Sequence, residues 1–236
     1  VFPVRAEHRE EFRALIRYGA STGLKRVGFF HADSDVGRQH LENVKIAAGE
    51  AGVTFALGVP FKSDISDEQL KAVALQLAQE KVDMVLNHGS PSIFARLIRI
   101  ARAAGSNANF LAVNSGSTQM AASLGELAKG MVFSQVMPSP WARKTAIVRE
   151  YQEAFARANP GRDFSYGSLE GYMTAKALVA ALKLAGKQPT RASFVNGLDG
   201  SVIDLGGIKL NYRAGDHAGS TFVDLAMVSR EGKFLQ

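Results

Sequence analysis

Short apolar runs alternate with amphipathic segments through the first two thirds of the sequence, and this alternation constrains the fold more than any other feature. The apolar run Arg26–His31 leads into a segment that ends at Gly52, and the run Val53–Val59 leads into another. In this second segment, leucine, valine and alanine recur from Leu70 to Ala78 at the spacing of one helix face. Because strands connected by helices run parallel within one sheet, the alternation predicts a parallel sheet with helices on both faces.

The same pattern predicts the other elements of this region. Ser66 followed by Gln69 is typical of a helix start, and Pro91 suits the first turn of a helix. We expect further helices at Glu7–Tyr18, Val36–Ala51, from Pro91 to near Gly105 and at Ser117–Leu124, and further strands at Asp83–Asn87, Asn109–Val113 and Met131–Val136.

The alternation stops at Pro138-Ser139-Pro140, which predicts a linker or crossover. Beyond it we expect two longer helices, at Trp141–Ala158 and Leu169–Ala185. We also expect a short helix that is capped by Thr190 and ends near Gly197, and two short strands, at Ile208–Leu210 and Phe222–Val228. Ser229–Gly232 predicts a hairpin-like turn. Without a partner, the helix at 169–185 would expose the apolar side chains of Leu178, Val179 and Leu182.

The composition excludes several kinds of site and partner. The chain has no cysteine, so disulfides, thiolate metal sites and cysteine nucleophiles are excluded. The formal net charge is +6, but basic residues are interleaved with acidic ones, as at Arg9-Glu10-Glu11. No apolar stretch reaches the roughly 18 residues of a membrane span. We therefore expect a folded protein that neither binds nucleic acid nor inserts into a membrane.

Motifs of catalysis are missing from the sequence. It contains neither of the glycine-rich motifs that bind dinucleotides or nucleoside triphosphates, and no Gly-x-Ser-x-Gly. The five histidines never form a ligand pair one helical turn apart. Asp33 and Asp35 follow a predicted strand, as in a phospho-acceptor or Mg²⁺ loop, but we favour a turn with a helix N-cap as their explanation. We expect a protein that is not an enzyme and binds no cofactor or metal.

Polar residues cluster where the predicted parallel strands end. The loops at 31–36, 61–64, 88–92 and 113–117 are rich in serine, asparagine, aspartate, glycine and histidine. Open parallel sheets bind ligands beyond the carboxyl ends of their strands. The helix starts at that edge also present backbone N–H groups that attract a carboxylate. The sequence therefore predicts a site for a small ligand there.

Several short motifs, each weak alone, occur in an order that resembles one family. They are His31–Gly37, Val59–Pro60, Val82–Gly89, Ala101–Gly105, Phe133–Pro140, Ser168–Lys176 and Asp216–Ser220. Over essentially the whole chain, this order resembles the periplasmic substrate-binding proteins of ABC importers, of the leucine/isoleucine/valine-binding type. The resemblance implies a type I periplasmic-binding-protein fold, in which α/β lobes with doubly wound parallel sheets are joined by a multi-crossover hinge.

The resemblance also implies how the chain divides. Residues 7–136 and 221–236 would form the second lobe, and residues 1–6 and 137–220 would supply hinge crossovers and part of the first lobe. The strands that begin the first lobe would precede Val1. Trp141, just past the second crossover, would anchor the hinge.

The family's ligand contacts carry over to the loops at the sheet edge and to one helix of the first lobe. They would be Asp35, Val36, Gly89, Ser90, Asn114, Ser115 and Tyr172. Asn114 falls where amino-acid binders hold an acid against the ligand ammonium group, and an amide cannot supply that charge. Val36 falls where the family often has an aromatic residue. Both differences argue against a branched-chain amino acid. Core packing is the alternative role for Tyr172.

The function implied by the resemblance is that of an extracytoplasmic solute-binding protein. It would lie in the bacterial periplasm after removal of a secretory signal, and hinge closure would deliver an amino-acid-like or carboxylate ligand to the membrane permease of an ABC importer. Two alternatives stay open. One is the effector-binding domain of a bilobal transcription regulator, which needs DNA-binding helices upstream of Val1. The other is a metal-dependent α/β enzyme that uses Asp33 or Asp35.

Overall fold

The computed structural model describes residues 1–235 of the 236-residue chain, and these residues divide into two units. The larger unit comprises His8–Gln135 and the segment that starts at Leu225. The smaller unit comprises Val1–Glu7 and Val136–Asp224. The second lobe expected from the sequence ends at Gln236, which lies outside the described residues.

Alternating strands and helices build the larger unit. Its strands are β1 (Arg26–Ala32), β2 (Thr54–Phe61), β3 (Met84–His88), β4 (Asn109–Ala112), β5 (Val132–Gln135), β8 (Asp224–Val228) and β9 (Phe234–Leu235). Its helices are α1 (His8–Ser21), α2 (Asp35–Glu50), α3 (Asp67–Gln79), α4 (Pro91–Ala103), α5 (Ser117–Leu124) and a 3-10 helix (Gly125–Ala128). The helix predicted at Ser117–Leu124 has the predicted bounds, and the other elements up to β5 differ from prediction by a few residues.

The strands form one sheet in the spatial order β2-β1-β3-β4-β5-β8-β9. β1 pairs in parallel with β2 and β3, and the parallel pairing continues through β4 to β5. β9 is antiparallel to β8, which confirms the hairpin turn predicted at Ser229–Gly232. The mostly parallel sheet predicted from the alternating pattern is therefore confirmed.

Side chains of neighbouring residues pack on opposite faces of this sheet, because successive residues of a strand alternate in direction. On β1, Phe29 packs beside Phe12 of α1, with ring centroids 5.3 Å apart. Phe30 stacks on Phe61 at 4.3 Å and belongs to the core formed with α3, α4 and α5. α1 and α2 cover the face of Phe29. The sheet is therefore wound with helices on both faces.

Local capping chemistry fixes several helix starts as predicted. Ser66 accepts a hydrogen bond from the Gln69 amide, and the Gln69 side chain accepts one from the Ser66 amide. Pro91 occupies the first turn of α4. These contacts are local in sequence, so the sequence predicts them well.

The smaller unit contains three helices and a two-stranded antiparallel sheet. They are α6 (Ala146–Ala158), α7 (Tyr166–Leu184), α8 (Arg191–Leu198), β6 (Val202–Asp204) and β7 (Lys209–Asn211). Thr190 caps α8 through a capping box, which confirms the predicted helix start. Leu178, Val179 and Leu182 of α7 are exposed, as the sequence predicts for this helix without a partner.

Three predicted bounds in this region are wrong. α6 begins at Ala146 and not at Trp141, because Thr145 is extended and the Gly206 carbonyl accepts the Ile147 amide. α7 begins three residues before the predicted Leu169, because Ser165 accepts a hydrogen bond from the Ser168 amide. The strand predicted from Phe222 begins at Asp224.

The sequence analysis also missed β6. Its three residues are too few to show an alternating pattern. The Asp204 carboxylate accepts the amides of Gly206 and Gly207, both at 2.8 Å, and thereby holds the turn toward β7.

No helix within residues 1–235 is long and apolar enough to cross a membrane.

Gly37 in α2 offers a test of how closely this helix packs on β1. A Cβ atom at Gly37 would lie 1.9 Å from the Ala32 carbonyl oxygen, whereas one at Gly49, in the same helix, would meet nothing within 4 Å. We predict that Gly37→Ala lowers the free energy of unfolding by about 3 kcal/mol, because the backbone of α2 or of Ala32 must move to make room for the Cβ atom. Gly49→Ala should raise it by roughly 0.5–1 kcal/mol. Urea unfolding of both variants measures the difference, and equal stabilities would contradict the packing described.

Candidate functional site

The winding of the sheet reverses beside β1. β2 lies on one side of β1 and β3 on the other, so the connections that leave β1 and β3 diverge. In open α/β sheets such a reversal leaves a crevice at the carboxyl ends of the strands. In this chain that edge is formed by the residues after Ala32, Phe61 and His88.

A cleft of about 670 Å³ occupies this edge within the larger unit. Its lining consists of Ala32, Asp33, Phe61, Lys62, Ser63, Asp64, Ser90 and Ile93. The wall therefore combines apolar side chains with both signs of charge and two hydroxyl groups. The volume falls within the range of small-molecule sites.

The starts of two helices face the same edge. The Ser34 hydroxyl accepts the Gly37 amide at 3.1 Å at the start of α2. The Ser90 hydroxyl accepts the Ile93 amide at 3.4 Å and lies 2.9 Å from the Ser92 hydroxyl at the start of α4. The positive ends of the helix dipoles favour an anion at this edge.

Gly89 brings the loop after β3 close to the cleft wall. Its φ is +125°, and a Cβ atom there would lie 2.8 Å from Cζ of Phe61 and 3.1 Å from Cβ of Ala32. Glycine therefore serves two needs at this position, a backbone conformation that side chains disfavour and a close approach to its neighbours.

Comparison with protein families shows to which family this chain belongs. The profile of the periplasmic binding protein family matches residues 1–233.

The chain belongs to the periplasmic binding protein family.

Solved structures with this fold extend the comparison. A possible leucine/isoleucine/valine-binding protein from Rhodopirellula baltica SH 1 is 27% identical to this chain and superposes with a TM-score of 0.86. The match covers 100% of this chain and 66% of the Rhodopirellula chain. An extracellular ligand-binding receptor from Verminephrobacter eiseniae ef01-2 is 25% identical with a TM-score of 0.83, covering 100% and 67%. A fatty acid ABC transporter substrate-binding protein from Thermomonospora curvata shares the fold at 22% identity and a TM-score of 0.80, covering 98% and 61%.

This periplasmic binding protein thus spans about two thirds of the length of these structures. A search of curated proteins found no match. The type I periplasmic binding fold expected from the sequence is confirmed by the family match and by these structures.

The structure places the expected ligand residues in different surroundings. Ser90 lines the cleft, and Gly89 contacts its wall. The Asp35 carboxylate is 98% exposed and pairs with Arg38 at 2.6 Å, and Val36 beside it is 52% exposed. Arg38 also binds Asp33 at 3.1 Å. Asp33 and Asp35 therefore share the guanidinium group of Arg38, in the turn and helix start that the sequence favoured over a Mg²⁺ loop.

The other three expected residues are not among those that line the cleft within the larger unit. Asn114 is partly buried and Ser115 exposed, in the loop after β4. Tyr172 is partly buried in the smaller unit, where its ring lies 5.9 Å from that of Tyr151. Trp141 donates its indole N–H to Asp163 at 3.0 Å, also in the smaller unit.

Sequence reasoning missed a layer of polar side chains on the α1/α2 face of this binding protein's sheet. We call it the histidine layer, and it consists of His8, Glu11, His31, His40, His88 and Ser134. A signal for it exists in the sequence. His31 follows Phe29 by two residues and His88 follows Leu86 by two, so both histidines lie on the face of those core residues.

Gly89 also provides a test of the cleft. Gly105 resembles it in having a positive φ, of +80°, but a Cβ atom at Gly105 would meet nothing within 4 Å. Both alanine variants carry backbone strain, but only Gly89→Ala also crowds Phe61 and Ala32. We predict that Gly89→Ala costs about 1–3 kcal/mol more unfolding free energy than Gly105→Ala. Urea unfolding measures both, and equal losses would show that the loop does not pack against the cleft as described.

Proposed function

We propose that this chain is the ligand-binding part of an extracytoplasmic solute-binding protein that serves an ABC importer. The observation that carries the proposal is the position of the cleft. In a member of a binding-protein family, the cleft lies at the edge where the winding of the sheet reverses and where α2 and α4 begin.

The proposed ligand is a small carboxylate or amino-acid-like molecule. The capped starts of α2 and α4 and the exposed Lys62 favour a carboxylate. Asp33 and Asp64 could face an ammonium group, and Phe61 and Ile93 supply apolar surface for a hydrocarbon part. The names of two structures of this fold, which refer to branched-chain amino acids and to a fatty acid, agree with this chemistry.

The proposed mechanism is hinge closure. The larger unit would act as the second lobe, and the smaller unit would contribute hinge segments and part of the first lobe, from which Tyr172 would reach the ligand. A ligand that contacts both lobes has a higher affinity for the closed form and so raises its population. A permease in the membrane would recognise that closed form. The proposed location is the bacterial periplasm.

A thermal-shift panel tests the proposal. We predict that at least one compound among the amino acids, keto acids and aromatic acids, with L-leucine, pyruvate and benzoate as representatives, raises the melting temperature, and that above its Kd the rise grows with the logarithm of its concentration. Mass spectrometry of the same mixtures should recover the compound unchanged. Turnover of any panel compound, or a panel with no stabilising compound, would contradict the proposal.

A variant that fills the cleft tests the position of the site. Ser63 is an exposed lining residue, so Ser63→Tyr should block the cleft and leave the fold intact. Ser21, exposed at the end of α1, gives the matched control Ser21→Tyr. We predict that Ser63→Tyr reduces affinity for the stabilising compound at least tenfold, a loss of about 1.4 kcal/mol, and that Ser21→Tyr does not. Equal affinities in calorimetric titration would place the site elsewhere.

A further inference from the structure

The histidine layer brings four of the five histidines of the chain together beside a buried acid. The ring centroid of His8 lies 5.4 Å from that of His40 and 5.1 Å from that of His88. The ring centroids of His40 and His88 are 4.3 Å apart. His31 stacks on Phe29 at 5.3 Å and lies close enough to His88 to affect its charge. The layer draws on α1, α2, β1, β3 and β5, so it connects five elements at one end of the sheet.

Glu11 joins this layer to the loop after β4. Its carboxylate is fully buried and accepts hydrogen bonds from the Asn114 amide at 2.9 Å and from the Ser134 hydroxyl at 2.6 Å. Its other oxygen lies 2.7 Å from Nδ1 of His8. Burial alone would raise the pKa of Glu11, but the bond and charge of His8 and the two donors lower it overall. Glu11 therefore stays ionised and holds the Asn114 backbone.

His88 joins the layer to the loop after β3, because the expected ligand residues Gly89 and Ser90 follow it directly. Nδ1 of His88 is buried without a hydrogen-bond partner among the described residues. His31 is similar. Its Nδ1 must donate to the Ala32 carbonyl at 3.0 Å, since a carbonyl oxygen only accepts, and its Nε2 is buried without a partner in the same part of the chain. These two nitrogens can take up protons but have no hydrogen-bond acceptor for them among the described residues.

We propose that the histidine layer is a proton-responsive support for the ligand site, with Glu11 as a positioning residue for the Asn114–Ser115 loop and His88 for the Gly89–Ser90 loop. In this proposal the loops are ordered when His40 and His88 are neutral and loosen when these residues are protonated. The inference rests on the proposed function, because it concerns the regulation of the same edge of the sheet.

The sign of the effect follows from the surroundings of the two rings. Burial, together with the neighbouring histidines, lowers the pKa of His40 and of His88 to about 4, and Glu11 offsets this only in part. In loosened loops the pKa of each ring returns toward its usual 6.5. The loosened form therefore binds more protons between pH 6.5 and pH 4. The ordered form is fully favoured above pH 6.5 and loses its advantage as the pH falls toward 4.

Hydrogen exchange of the Asn114 amide tests the proposal on the whole chain, with the proton as the only probe. We expect the protection factor of this amide in the wild type to fall at least roughly tenfold between pH 7.0 and pH 5.5, because each histidine contributes up to tenfold per pH unit. In a variant with His40→Gln and His88→Gln the fall should be less than about threefold. The matched control is His217→Gln, since the fifth histidine lies in the smaller unit and should leave the fall unchanged.

Glu11→Gln separates positioning from proton uptake. It removes the charge that attracts His8 and the Asn114 amide, so protection at pH 7.0 should already be low and should change little with pH. Protection of Asn114 that is constant to pH 5.5 in the wild type, or that falls equally in the double histidine variant, would overturn the proposal. The wild-type titration alone suffices for this if Glu11→Gln does not fold. No small molecule is added, so a panel without a stabilising compound would contradict the proposed function and leave this result unaffected.

Discussion

The parallel pairing of β1 with both β2 and β3 determines where the cleft and the histidine layer lie. The register places Ala32 opposite Phe61 and His31 opposite His88, so three strands end at the same level. Because side chains alternate across the sheet, one residue step separates two different environments. Ala32 and Phe61 line the cleft, whereas His31 and His88 enter the histidine layer. A slip of one residue in this register would exchange the two sets.

The two environments differ in what they offer a ligand. The cleft is open, carries both signs of charge and is bordered by helix starts, so it suits direct binding of a small polar molecule. Glu11, His31 and Ser134 of the histidine layer are buried and its other members are partly buried, and the contacts of Glu11 are with His8, Ser134 and the Asn114 backbone. Such a layer is suited to holding loops in place. In our proposals, recognition of the ligand and support of its loops are therefore separate at the same sheet edge.

The sequence predicted the features that depend on local chemistry or on simple periodicity. The capping box at Ser66 and the start of α8 after Thr190 are local, and the order of strands and helices follows from apolar periodicity. Predictions from the sequence were wrong where a contact between residues distant in the chain determines the structure.

α6 starts at Ala146 because the Ile147 amide donates a hydrogen bond to the Gly206 carbonyl, which lies some sixty residues later in the chain. Of the expected ligand residues, Ser90 lines the cleft because its loop position is fixed by β3, whereas Asp35 is turned away by its bond to Arg38. The histidine layer was missed because its members come from five separate elements.

Mapping of a bound compound by backbone amide chemical shifts tests whether the ligand binds at the carboxyl edge of the sheet. With a stabilising compound added to the whole chain, we predict that shift changes in the larger unit concentrate at residues 32–36, 61–64 and 89–93. Changes concentrated at the opposite edge, near Arg26 and Met84 where the strands begin, would contradict the claim that the carboxyl edge of the sheet is the binding site.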